Sequence, residues 1–185
     1  MKNWKNIAVL AGALVVAALI FSLAPQKAPK LESEATIEWL SWEQAIEKMA
    51  DEPKKIFIDV YTDWCGWCKR MDASTFVDPA VVAVMNEHFY AVKLDAEQKE
   101  NIVYDNHTFT YRSDYGRRGV HELAFALLDG KMSYPSFVYL DESASRISIS
   151  PGYKDAQTMD VELRYIGKDH FKTTTYEDFR AAQGN

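Results

Sequence analysis

The chain has 185 residues, 48% of them hydrophobic and 13% aromatic, enough for one compact domain with a sizeable core plus attachments. Four of the 21 basic residues and none of the 27 acidic ones precede Leu31, so the remainder carries 17 against 27, a net charge of −10. That balance argues against binding nucleic acid or an anionic membrane surface.

The N-terminal stretch is set apart. Met1 to Asn6 carries Lys2 and Lys5, and Ile7 to Ala24 is uncharged and almost wholly apolar. This is the pattern of a secretory signal peptide or an N-terminal membrane anchor. Ser22-Leu23-Ala24 offers small residues for signal peptidase, but Pro25 would follow the cut and hinder it. The 18-residue run sits at the lower limit for a span, and the anchor is the favoured reading. Either way the body is expected in the periplasm, tethered to the inner membrane by residues 7–24 or free if cleaved. Residues 25–35 read as a linker able to reach roughly 30 Å. The folded part is expected over 36–182.

Thr36 to Leu40 reads as a first strand. Ser41 then starts a helix, with Gln44 completing a capping box, and Trp42, Ala45, Ile46 and Met49 give its buried stripe. Pro53 ends it, and Ile56 to Tyr61 is an apolar run with the look of a buried strand. After Cys68 the pattern is helical through Met71, then interrupted at Ser74-Thr75-Phe76. Asp78-Pro79 caps the next helix, with Val81, Val82, Met85 and Phe89 as its stripe. Phe89 to Leu94 is β-prone, and Asp95 to Glu100 is a charged break. Within 101–132, His107 to Arg112 has strand composition, Gly116 to Gly119 is a loop, and Val120 to Leu128 reads as a helix. Phe137 to Asp141 and Arg146 to Ser150 form a hairpin. Asp155 caps a last long helix with Met159, Leu163 and Ile166 facing inward, and Thr173 to Phe179 adds a short one. Strands alternating with helices, then a hairpin and a closing helix, define an α/β fold with a mixed sheet flanked by helices.

Cys65 and Cys68 are the only two cysteines, two residues apart, between the apolar strand and the helical segment. Such a pair allows metal binding, a structural staple or thiol–disulfide chemistry. A structural zinc needs four ligands, and the histidines (His88, His107, His121, His170) are scattered. A staple closing so short a loop removes little chain entropy. Redox chemistry is the favoured reading. If Cys65 opens a helix, unpaired backbone N–H groups and the helix dipole favour its thiolate, which makes it the nucleophile and Cys68 the resolving thiol. Asp59, a carboxylate in an apolar strand, should have a raised pKa and exchange a proton with Cys68. The plainer reading is that it bonds nearby backbone.

Asp59 to Lys69 resembles the thioredoxin active-site motif, an apolar strand with an Asp leading to Trp-Cys-Gly-x-Cys-Lys. Phe89 to Asp95 is similar to that family's central strand, with Lys93 at its semi-buried lysine, and Tyr134-Pro135-Ser136 to its cis-proline turn. Gly152 is similar to the glycine after its last strand. Cys65 to Met71, Thr75 to Pro79 and Asn86 to Phe89 together resemble the exported thioredoxin-like proteins of the DUF255/thioredoxin-7 type, over roughly residues 36–166. Trp67 departs from the thioredoxin pattern, which has Pro there, and an insertion of about 97–132 precedes the cis-proline strand.

The resemblance implies a thioredoxin-like fold and a protein-disulfide oxidoreductase. Cys65, Cys68, Asp59 and Lys93 would be catalytic, with no cofactor beyond the cysteine pair and no metal. Trp64, Gly66, Trp67, Tyr134, Pro135 and Ser136 would meet substrate, the two tryptophans as an apolar apron. The implied partners are exported proteins with disulfides or thiols, and a membrane thiol reductase as electron donor. The alternative is a thioredoxin-fold adaptor or chaperone-like binding protein without turnover. A thiol peroxidase is a weaker third reading, since the chain lacks a convincing peroxide-activating Thr-x-x-Cys with a supporting Arg. His121 reads as a surface histidine and Arg117-Arg118 as a solvated loop. Tyr104, Phe109, Tyr111 and Tyr115 are expected to pack the insertion against the body.

Overall fold

Ser41 separates strand β1 (Trp39–Leu40) from helix α1 (Trp42–Asp51). Its hydroxyl accepts the Gln44 N–H at 3.2 Å, and the Gln44 side chain accepts the Ser41 N–H at 2.8 Å. Two orphan donors of the first turn are thus satisfied reciprocally. Ser41→Ala should destabilise the protein by about 1 kcal/mol, read as a lower urea midpoint at unchanged slope; no shift would show that the cap is redundant. The computed structural model describes residues 36–184, which lie in one compact unit. The apolar run 7–24 and the linker 25–35 lie outside the described residues.

The central strand is β2 (Lys55–Tyr61), parallel to β3 (Phe89–Asp95) on one side and antiparallel to β8 (Ser136–Leu140) on the other. β1 extends the sheet beyond β3, and β9 (Arg146–Pro151) beyond β8, giving the order β1-β3-β2-β8-β9. Both neighbours are paired and both faces covered, so β2 can be apolar at nearly every position.

Side chains alternate across a strand, and this sorts the core into two layers. Ile56, Ile58 and Val60 face α1 and the 96–132 segment, packing with Trp42, Leu123 and Leu128. Phe57 faces the other way, with Phe137, Tyr139, Met71, Met85 and Met159. That second layer lies under α2 (Gly66–Ala73), α3 (Pro79–His88) and α5 (Ala156–Gly167). Phe57 stacks on Phe137 at 5.4 Å. The same alternation puts Asp59 on the Phe57 face, beneath α2.

Between β3 and β8 the chain forms β4 (Ile102–Tyr104) with β5 (His107–Phe109), then β6 (Tyr111–Arg112) with β7 (Val120–His121), then helix α4 (Glu122–Leu127). Tyr104, Phe109 and Tyr115 pack on the body as expected, Tyr104 edge-on to Trp42 at 5.2 Å. A 3-10 turn (His170–Lys172) and α6 (Tyr176–Ala182) close the chain.

Four local expectations need correction. Only Trp39–Leu40 of the first strand is paired, because β1 meets β3 over two residues alone. His107 to Arg112 breaks at Thr110 and feeds two separate hairpins. The helix expected from Val120 starts two residues later, because Val120–His121 pair with β6. The cause of that start is His121, which is wholly buried rather than on the surface. Its Nδ1 accepts the Leu123 N–H at 3.3 Å, capping α4, and its Nε2 lies 3.1 Å from the Glu100 carbonyl. This pattern requires a neutral ring with the proton on Nε2, and burial accordingly lowers its pKa.

Candidate active site at the Cys65–Cys68 disulfide

β2 ends at Tyr61, and the Cys65 N–H donates to the Thr62 carbonyl at 3.0 Å, turning the chain into α2. Cys65 is the N-cap of that helix, and its Sγ accepts the Cys68 N–H at 3.1 Å. Cys68 lies one turn in. The two sulfurs form a disulfide, with Cα atoms 5.3 Å apart. Once the bond opens, the same N–H and the helix N-terminus are placed to stabilise a thiolate on Cys65. Gly66, beside it, is exposed, and a Cβ there would meet no atom within 4 Å, so the backbone is open to an approaching chain.

Beneath α2 lies a charged pair. Asp59 is 1% exposed, and its Oδ2 accepts from Lys93 Nζ at 2.7 Å. Register explains the contact, since Asp59 and Lys93 are direct partners across the β2–β3 ladder. Asp59 Oδ1 has no hydrogen-bond partner among the described residues. Burial dominates the charge of Lys93, and the Asp59 pKa is pushed up to about 6. Burial opposes the charge on Lys93 as well, but Asp59 and Asp72 outweigh it and raise its pKa. Lys93 Nζ also bonds Asp72 Oδ1. Asp72 stands four residues after Cys68, on the same face of α2. Through Asp72 the Asp59–Lys93–Asp72 network reaches α2 one turn after Cys68. Its ammonium is also 4.8 Å from the Trp39 ring centre.

Aromatic rings flank the sulfurs on two sides. Trp64 is 52% and Trp67 54% exposed, large values for tryptophan, so core packing is not the role of either. Trp64 meets Tyr134 edge-on at 5.8 Å, donates from Nε1 to Glu97 at 3.0 Å, and carries the Arg118 guanidinium 5.4 Å from its ring centre. Trp67 packs on Tyr153 at 5.0 Å, with Arg70 near both rings. The Tyr134–Pro135 peptide is cis, and the Pro135 carbonyl accepts the Gly152 N–H at 2.8 Å. Ser136 is buried, its hydroxyl donating to the Ser133 carbonyl at 2.7 Å, so that side chain closes the turn.

Sequence reading missed Asp72, Glu97, Arg118 and Tyr153. Asp72 alone had a local signal, its i+4 spacing from Cys68. The other three reach the site only through tertiary contacts. Among the described residues no cluster of His, Cys, Asp and Glu is arranged to hold a metal ion.

A mixed five-stranded sheet, a helix capped by the first cysteine of the pair and a cis-proline turn together make this a thioredoxin-fold protein. Residues 22–154 match the model of the family Thioredox_DsbH, described as a protein of unknown function, DUF255, and the chain belongs to that family. It is similar to spermatogenesis-associated protein 20 of Homo sapiens, 30% identical over 83 residues, covering 43% of this chain and 11% of that protein. It is also similar to the thiol:disulfide interchange protein DsbD of Vibrio vulnificus (strain CMCP6), 36% identical over 64 residues, covering 35% of this chain and 10% of that protein. The chain thus spans about a tenth of the length of these curated relatives. Among solved structures, a DsbH oxidoreductase superposes with a TM-score of 0.52 at 15% identity, covering 78% of this chain and 95% of that one, a likeness of fold.

Proposed function

We propose that this chain is a thiol–disulfide oxidoreductase acting on disulfides or dithiols of exported polypeptides. One observation carries the reading: Cys65 caps α2 with its sulfur on the Cys68 N–H, and the strand leading into that helix buries a carboxylate, Asp59, whose pKa is raised to about 6.

In the reducing direction, the Cys65 thiolate attacks one sulfur of a substrate disulfide. A Cys65–substrate disulfide forms and the first substrate thiolate leaves. Asp59 takes the Cys68 proton, and the Cys68 thiolate attacks the Cys65 sulfur. The Cys65–Cys68 disulfide forms, the second substrate thiolate leaves, and the proton on Asp59 is free to neutralise a departing thiolate. Two electrons pass to the substrate, and an external dithiol restores the pair. Run backwards, the cycle oxidises a dithiol. Lys93 holds Asp59 in place and, shared with Asp72, sets how tightly the proton is kept. Trp64, Trp67 and the Tyr134–Pro135 turn border the channel along which a substrate chain approaches Cys65.

The site of action is read from residues 1–24, with Lys2 and Lys5 before the apolar run 7–24. This supports export to the periplasm and a tether at the inner membrane, with a membrane thiol reductase as electron donor. Among the described residues no helix is long and apolar enough to cross a membrane.

The test is insulin-disulfide reduction driven by dithiothreitol. Adding the full chain should shorten the lag before precipitation several-fold. Equal lags with and without it would sink the enzymatic reading in favour of a binding protein.

A further inference from the structure

Beside the disulfide lies a cavity of about 400 Å³ that the exchange chemistry does not use. Trp64 and Tyr134 form the wall shared with the active site; they directly precede Cys65 and Pro135 in the chain. The opposite wall and floor come from the 96–132 segment, through Tyr115, Val120 and Phe125. Arg117 and Arg118, both exposed, also line it.

The far wall is built rigidly. Arg112 pairs with both Asp114 and Glu122, at 2.9 and 3.1 Å, and lies 4.8 Å from the Tyr115 ring centre. Tyr115 packs on Phe125 at 4.6 Å. The Tyr111 hydroxyl donates to the Arg118 carbonyl, and Gly119 (φ 76°) permits this, since a Cβ there would collide with the Tyr111 ring. The cavity is therefore preformed, and filling it orders few side chains.

Its charge runs against the rest of the protein. The body is acidic, yet neither Arg117 nor Arg118 has an ion-pair partner among the described residues. Glu97 is the one carboxylate in the lining, and it accepts the Trp64 indole N–H. An aromatic-walled cavity lined by two exposed guanidinium groups that lack an ion-pair partner among the described residues, one of them lying over the Trp64 ring, fits an apolar side chain with a carboxylate beside it.

We infer that this cavity is a specificity site for client polypeptides, taking a bulky apolar side chain next to the client cysteine while Arg117 and Arg118 hold an adjacent Asp or Glu. The inference rests on the proposed exchange at Cys65, which places the client sulfur beside Trp64 and Tyr134.

The test measures binding of labelled decapeptides to the full oxidised chain, with serine in place of the client cysteine so that no exchange intervenes. Three peptides carry Ser-Phe-Glu, Ser-Phe-Lys or Ser-Ser-Glu at the centre. The first should bind about tenfold tighter than either of the others. The double variant Arg117→Glu/Arg118→Glu should reverse the order of the first two. In the wild type, the preference for Glu over Lys should shrink as salt rises to 1 M, an arm that needs no variant. Equal affinities, or a salt-blind preference, would overturn the inference. So would displacement of the peptide by oxidised glutathione at lower concentration than unlabelled peptide, which would assign the cavity to a small acidic disulfide. Exchange with the neutral hydroxyethyl disulfide is followed separately in the wild type. Its absence removes the oxidoreductase reading and leaves the binding order to be judged on its own.

Discussion

Cys65→Ser should lower disulfide exchange by about a thousandfold or more, whereas Cys68→Ser should accumulate mixed disulfides joined through Cys65. The two sulfurs have different surroundings, and the asymmetry follows from that. Cys65 caps α2, receives the Cys68 N–H and is flanked by exposed Trp64 and Gly66. Losing it removes the nucleophile. Both cysteines are largely buried, but Cys68 is the deeper, 2% exposed against 5%, one turn in and four residues before Asp72 of the Asp59–Lys93–Asp72 network. Losing it leaves attack intact but blocks release. On a non-reducing gel of the native host's envelope fraction, Cys68→Ser should give adducts that collapse with dithiothreitol. The double variant should give none. Adducts formed equally by Cys65→Ser would reverse the assignment, and a clean gel for both single variants would count against turnover of clients.

Asp59→Asn should stabilise the protein at pH 7 by up to about 3 kcal/mol while slowing the resolving step. The folded pKa of Asp59 is raised from 3.8 to about 6, burial being the main cause. A carboxyl with a raised folded pKa binds its proton more tightly in the folded chain than in the unfolded one. Below about pH 4 both states are protonated and the group has no effect. As pH climbs from about 4 to about 6 the unfolded chain ionises first, so stability falls, and above pH 6 the full cost is present. The variant lacks this slope. Lys93 keeps Asp72 as a partner, so no buried ammonium is left unpaired. Urea unfolding at pH 4, 5.5 and 7 should show the difference growing with pH; a constant difference would remove the pKa from the explanation. In kinetics, Asp59→Asn should lose any inflection near pH 6 and slow resolution by about a hundredfold, without changing the first attack by Cys65.

Other parts of the site were legible in the chain to very different degrees. Cys65 and Cys68 announce themselves, because a Cys-x-x-Cys pair carries its own geometry once a helix starts at the first cysteine. Asp59 was visible as a charge where the strand pattern required an apolar residue. The α1 and α3 helix starts were equally plain, since Ser41-x-x-Gln44 and Asp78-Pro79 act on backbone groups within one turn. His121 misled for the opposite reason. Nothing near it in the sequence shows that Glu100 would supply a carbonyl to its ring, so a buried capping histidine reads like a surface one. Val120 to Leu128 misled as well, because the apolar stripe gives no sign that the first two residues pair with β6.

The sequence by itself determined the chemistry: two thiols, the helix that opens on the first of them, a buried carboxylate and the alternation that built the α/β sheet. All of these depend on neighbours within a turn or a strand, where spacing is geometry. Only the tertiary structure decided what surrounds that chemistry. It bonded Lys93 to Asp59 and Asp72 at once, set Tyr153 against Trp67, and brought Arg118 to the face of Trp64 from more than fifty residues away. Those contacts depend on how the sheet registers and how the 96–132 segment folds back on it. Their energies come from packing and charge between distant stretches of chain, and no local pattern encodes them.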